Sequence, residues 1–81
     1  MTDETLIEIA KIFGIEPSEY YRAILIVSEL SDGKSPKDLT EQVIKYTSQH
    51  ECSQNMKLAI AFNAGLLVGS ECRRQERNQD G

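Results

Sequence analysis

Hydrophobic residues recur with helical spacing in four separate segments of the chain. In the first segment, Thr2 to Thr5 supply a cap and an acidic first turn, and Gly14 follows the last apolar position. These signals predict a helix over about residues 3–13. Its apolar face carries Leu6, Ile9, Ala10 and Phe13, with Ile7 and Ile12 beside it.

The second and third segments also read as helices. Pro17 suits a first helical turn, and the spacing after it predicts a helix over about residues 17–30. Because Ile24 to Val27 is a continuous apolar run rich in β-branched residues, a short buried strand is the alternative there. Ser35 and Pro36 begin a third helix over about residues 36–49. The main apolar positions of these two helices are Tyr20, Ala23, Ile24, Val27, Leu30, Leu39, Val43 and Tyr46.

The fourth helix is predicted over about residues 53–76, with Ser53 as its cap. Residues 56–69 are apolar almost all the way round, and such a helix has to be covered on every face. Ala61, Gly65 and Gly69 recur every fourth residue and form a smooth seam that another backbone can approach closely. We therefore expect this helix to be central, with its seam covered either by the first two helices or by a second copy of the chain.

These elements predict an all-α protein, a small four-helix bundle with its fourth helix at the centre. Residues 1–77 form a single helical domain, and residues 78–81 are expected to be a frayed tail. The links between helices are short, as is usual in such bundles.

The charge and the cysteine content limit the cellular location and the kinds of partner that we expect. The net charge of −4 divides into −5 for residues 1–41 and +1 for residues 42–81, which argues against general affinity for nucleic acid and suits a basic partner. The N-terminus lacks the basic start of an export signal, and two cysteines are too few for a disulfide scaffold, so we expect a cytoplasmic protein. The apolar run from Leu58 to Val68 is much shorter than the roughly 20 residues of a membrane span.

One segment resembles a known DNA-binding motif. In residues 8–24, Ala10 and Gly14 stand where the helix-turn-helix motif has a small residue and a turn glycine, and Ile15, Tyr20 and Ile24 stand where its helices pack. The presumed reading helix would present Ser18, Glu19 and Arg22, with Glu16 at its start, to DNA. Phosphate contacts need cations or amide donors, so this chemistry favours a plain helical corner.

No motif in the sequence indicates catalysis, a cofactor or a metal. His50, Cys52 and Cys72 do not have the paired spacing of a zinc site, and we expect Cys72 to be a partly buried thiol. Neither cysteine has an evident base, and the chain contains no glycine-rich phosphate loop. We expect neither an enzyme nor a small-molecule substrate.

The remaining candidates point to an interface. Asn63, the polar residue inside the apolar stretch, either fixes the register of an assembly or bonds a backbone carbonyl or water. Tyr21 is expected to be exposed and available for contact, and three arginines form a basic helix end. The expected interface residues are Ala61, Asn63, Gly65, Gly69, Tyr21, Arg73, Arg74 and Arg77.

We therefore expect a small protein that binds another protein, as an adaptor, chaperone-like partner or inhibitor, and that forms a homodimer. Two alternatives stay open. The first is a DNA-binding regulator that uses residues 8–24. The second is an acidic inhibitor that mimics nucleic acid with Asp3, Glu4, Glu8, Glu16 and Glu19 on one surface.

Overall fold

The protein is a bundle of four α-helices in a computed structural model, which describes the backbone of residues 3–80 and the side chains of residues 3–76. The helices are α1 (Asp3–Phe13), α2 (Pro17–Ser31), α3 (Pro36–Gln49) and α4 (Gln54–Asp80). This confirms the predicted all-α fold. The run from Ile24 to Val27 is helical, so the alternative of a strand there is wrong.

Local signals explain where the helices begin and end. The Gly14 amide donates to the Lys11 carbonyl and the Ile15 amide donates to the Ala10 carbonyl, with Gly14 at φ 72°. This is the paired hydrogen bonding of a Schellman motif, in which glycine adopts the left-handed conformation without strain. Ser35 and Ser53 act as the expected caps of α3 and α4, accepting hydrogen bonds from the amides three residues on. Thr2 lies outside the described residues.

Helices α2 and α4 form the middle of the bundle and run in the same direction. Ser31 lies beside Ser70 at one end of this pair, and Glu19 lies near Met56 at the other. Helix α3 runs the opposite way, and α1 packs against α2 and α4 without contacting α3 in the described part of the chain. The core between the helices consists of Ala10, Tyr20, Ala23, Val27, Leu39, Val43, Met56, Ala59, Ile60 and Ala64.

Helix α4 contacts all three other helices, as predicted for a central helix, but α2 does so too, and the two share the middle of the bundle. It continues to Asp80, past the end expected near residue 76, so the helical conformation includes most of the segment expected to fray. Gly81 lies outside the described residues. In the part of the chain that the structure describes, no helix has both the length and the apolar character needed to cross a membrane.

Candidate protein interaction face

The outward side of α4 is an apolar surface that the rest of the chain leaves open. Leu58, Phe62 and Leu66 are each about half exposed, although they belong to the most hydrophobic stretch of the sequence. The opposite side of the same helix is buried and contributes Met56, Ala59, Ile60 and Ala64 to the core. We call the outward surface the α4 face; it comprises Leu58, Ala61, Phe62, Gly65, Leu66 and Gly69.

The small-residue seam lies on this open surface. A Cβ atom added to Gly65 or Gly69 would meet no heavy atom of the described residues within 4 Å, apart from the helix itself. A shallow groove of about 250 Å³ runs beside Gly65, lined by Ile44 and Thr40 of α3 and by Ala61 of α4. Neither α1 nor α2 covers the seam, so a single chain does not enclose α4 as the apolar pattern required.

The borders of the α4 face extend the apolar surface onto two other helices. On one side, Ile44 of α3 is 62% exposed and lines the same groove. On the other side, the ring of Phe62 packs against Phe13 of α1, with 5.5 Å between ring centroids. Residues 58–69 include no charged side chain, whereas Lys57 precedes them and Glu71 follows. An uncharged apolar centre with polar surroundings is the usual composition of a protein interface.

Asn63 lies outside the α4 face, on the side of α4 that faces α2. Its Nδ2 donates to the Ala59 carbonyl at 2.8 Å, and the hydroxyl of Tyr20 donates to its Oδ1 at 3.5 Å. Tyr20 is fully buried, so this long contact between α2 and α4 lies inside one chain. The amide of Asn63 therefore has hydrogen-bond partners without any second chain.

The other predicted interface residues do not gather at one place. Tyr21 is 53% exposed, as its neighbour Tyr20 takes the core position, but it projects from α2. Arg74 donates to a carboxylate oxygen of Glu71 at 2.6 Å, one turn back on the same helix. Arg73 is exposed near the end of the α4 face, and the side chain of Arg77 lies outside the described residues.

The segment that resembles a helix-turn-helix motif does form a tight corner between α1 and α2. Its exposed residues at the start of α2 are Glu16, Ser18, Glu19 and Arg22, so two carboxylates accompany one guanidinium. Such a surface is a poor match for a phosphate backbone.

His50 and Cys52 lie apart from the α4 face, whereas Cys72 lies close to its end. His50 stacks on Tyr46 with 3.9 Å between ring centroids, and Cys52 is half-buried next to it. Cys72 is exposed, so the expectation of a partly buried thiol is wrong. It follows Gly69 by one turn, just beyond the last small residue of the α4 face. Among the described residues, no three His, Cys, Asp or Glu side chains are grouped to hold a metal ion.

The sequence analysis identified the small-residue seam but missed the large exposed apolar side chains beside it. Leu58, Phe62 and Leu66 follow one another at four-residue spacing, which places them on one side of a helix. This spacing is the sequence signal that could have indicated a second apolar stripe on α4, separate from the core stripe that contains Ile60 and Ala64. No family model, curated protein or solved structure matches this chain.

Proposed function

We propose that this chain is a small protein–protein interaction module that works as a homodimer through the α4 face. The observation that carries the proposal is the open, uncharged surface around Leu58, Phe62 and Leu66 on the helix at the centre of the bundle. Removing apolar surface of this kind from contact with water is favourable by roughly 25 cal/mol per Å² buried. A covering partner therefore lowers the free energy of the chain.

The size of the chain strengthens this argument. Among the residues whose side chains the structure describes, ten form the buried core, and a domain of this length buries only about 60% of its unfolded surface. Nine large hydrophobic side chains within residues 3–76 are exposed at the same time. A second copy that covers the α4 face would bury apolar surface that a single chain of this length leaves exposed.

In this homodimer, the acidic outer surface stays available to a further protein. Glu4 and Glu8 are exposed and lie one turn apart on α1, and Glu16 and Glu19 are exposed at the start of α2. These carboxylates favour a basic partner surface, because complementary charge increases the rate and the specificity of association. The dimer would then act as an adaptor, a chaperone-like partner or an inhibitor of that protein.

Light scattering coupled to size-exclusion chromatography tests the assembly. We expect a mass of 18.2 kDa, twice the 9.1 kDa of one chain. Gly65→Leu should fold, since the added side chain meets open space in the single chain, but should elute near 9.1 kDa because it separates the two α4 faces. Circular dichroism checks that its helix content is retained. A wild-type mass near 9.1 kDa at all concentrations would reject the homodimer.

The charge of the partner is tested separately by affinity capture from the native host. The wild-type chain serves as one bait and the double variant Glu4→Gln, Glu8→Gln as the matched bait. We expect a basic protein that the wild type retains and the double variant loses. Equal retention by both baits would show that the acidic surface of α1 does not select the partner.

A further inference from the structure

A cavity away from the α4 face is lined by three side chains that can bind a metal ion. It has a volume of about 440 Å³ and lies where the end of α3 meets the start of α4, beside α2. His50, Cys52 and Met56 all line it. Their side chains offer an imidazole nitrogen, a thiol sulfur and a thioether sulfur to the same space.

The link between α3 and α4 is anchored at both of its ends. The His50 amide donates to the Tyr46 carbonyl at 3.0 Å, and the Met56 amide donates to Ser53 Oγ at 3.2 Å. Between these anchors, the thiol of Cys52 lies 3.8 Å from the His50 carbonyl oxygen. Cys52 also packs against the buried core, to which Met56 belongs. The thiol is therefore held beside His50 and against the part of the core that contains Met56.

The ring of His50 has the support that a metal ligand needs. Its Nδ1 lies 3.1 Å from the Tyr46 carbonyl oxygen, and the ring stacks on Tyr46 with 3.9 Å between centroids. When Nδ1 carries the proton it donates to this carbonyl, and Nε2 keeps a free lone pair. Metal-binding histidines almost always donate their other ring N–H in this way, which fixes the tautomer and the ring orientation.

The donor set selects a soft ion. Thiolate and thioether ligands favour Cu(I), whereas Ca²⁺ and Mg²⁺ take oxygen ligands. Structural Zn²⁺ takes four ligands from Cys, His, Asp and Glu, and no three such side chains are grouped to hold a metal within the described part of the chain. A site that uses Met56 as its third ligand therefore suits Cu(I) better than Zn²⁺.

Charge is also compatible with a monovalent cation at this place. One thiolate neutralises Cu(I), and the imidazole and the thioether are uncharged, so the bound ion leaves no net charge against the core. The other charged residues that line the cavity are Glu19, Glu51 and Arg22, all exposed. Two carboxylates against one guanidinium favour the approach of a cation.

We infer that this cavity binds one Cu(I) ion through His50 Nε2, Cys52 Sγ and Met56 Sδ. The Cys52 thiol releases its proton to solvent as the sulfur–copper bond forms, and no electron is transferred because the ion arrives as Cu(I). The inference is independent of the proposed homodimer, since no residue of the α4 face lines the cavity.

Anaerobic titration of the reduced chain with Cu(I), in competition with the coloured chelator bicinchoninate, tests the site. We expect one Cu(I) per chain and the release of about one proton. Cys52→Ser should weaken binding by more than about 100-fold, since loss of a second-shell partner alone costs about 10- to 100-fold. Cys72→Ser is the matched control, because Cys72 is exposed and lies outside the cavity, and it should bind like the wild type.

Two results of this titration would overturn the inference. The first is equal Cu(I) affinity of the wild type and Cys52→Ser. The second is a loss of affinity in Cys72→Ser as large as that in Cys52→Ser. Circular dichroism checks that each variant retains its helix content.

The other two ligands are tested separately. His50→Phe keeps a ring that can stack on Tyr46 but has no donor atom, so it should weaken Cu(I) binding; unchanged affinity would overturn the role of His50. For Met56, carbon-13 NMR of the methionine methyl groups is recorded on the wild-type chain. The Met56 signal is assigned by its loss in Met56→Leu, a substitution of similar volume. It should shift when one equivalent of Cu(I) is added, and an unchanged signal would overturn the three-ligand site.

Discussion

Replacing Leu66 by alanine should weaken the dimer while leaving the fold almost unchanged. Leu66 is 56% exposed in the single chain, and full burial of a leucine side chain is worth about 1.5–3 kcal/mol. Alanine lacks three of its four side-chain carbons, so the loss on association is about 0.6–1.3 kcal/mol per chain. Two chains lose about 1.3–2.5 kcal/mol, which raises Kd roughly 10- to 60-fold.

Leu25→Ala is the matched control. Leu25 is 47% exposed on α2, so its replacement costs a similar amount of folding stability without touching the α4 face. Both variants should lose about 0.5–1 kcal/mol in the free energy of unfolding of the isolated chain. Sedimentation velocity across a dilution series gives the Kd values. If Leu66→Ala and Leu25→Ala dimerise with equal Kd, the α4 face does not form the interface.

Three further predictions concern the fold and the alternative function. Ile60→Ala, on the buried side of α4, should lower the free energy of unfolding by about 2–5 kcal/mol in urea titrations, and a cost below about 1 kcal/mol would contradict the assigned core. Gly14→Ala should lower the melting temperature more than Gly33→Ala. Both glycines have positive φ, but only at Gly14 would the new Cβ also lie close to a side chain, 3.2 Å from Asn55 Nδ2. Equal melting temperatures of the two variants would argue against that contact. Fluorescence anisotropy with mixed duplex DNA at low salt should show no salt-dependent binding, and a salt-sensitive complex would revive the DNA-binding alternative for residues 8–24.

The helices follow from local chemistry that the sequence displays. Ser35 and Ser53 cap the helices they were expected to cap, and Gly14 ends α1 through a conformation that favours glycine. Helical periodicity also separated Tyr20, fully buried, from Tyr21, half exposed. Each of these assignments depends on a few neighbouring residues, so no knowledge of the tertiary structure is needed for it.

The exposure of α4 was harder to predict because it depends on the lengths and directions of other helices. An apolar stretch on all sides implied coverage on all sides, but α1 and α3 pack at the flanks of α4 and leave Gly65 and Gly69 open between them. The partners of Asn63 could not be predicted from the sequence either. Its place in the sequence suggested the seam, whereas its partners, Ala59 and Tyr20, lie on the α2 side.

Hydroxyl-radical footprinting at low and high protein concentration tests most directly whether a second chain covers the α4 face. The probes are Phe62 and Leu66 on the face, with Ile12, which is 83% exposed on α1, as the internal control. We expect oxidation of Phe62 and Leu66 to fall severalfold as the concentration rises through the dimer Kd, while oxidation of Ile12 stays constant. Constant oxidation of Phe62 and Leu66 at every concentration would contradict the account.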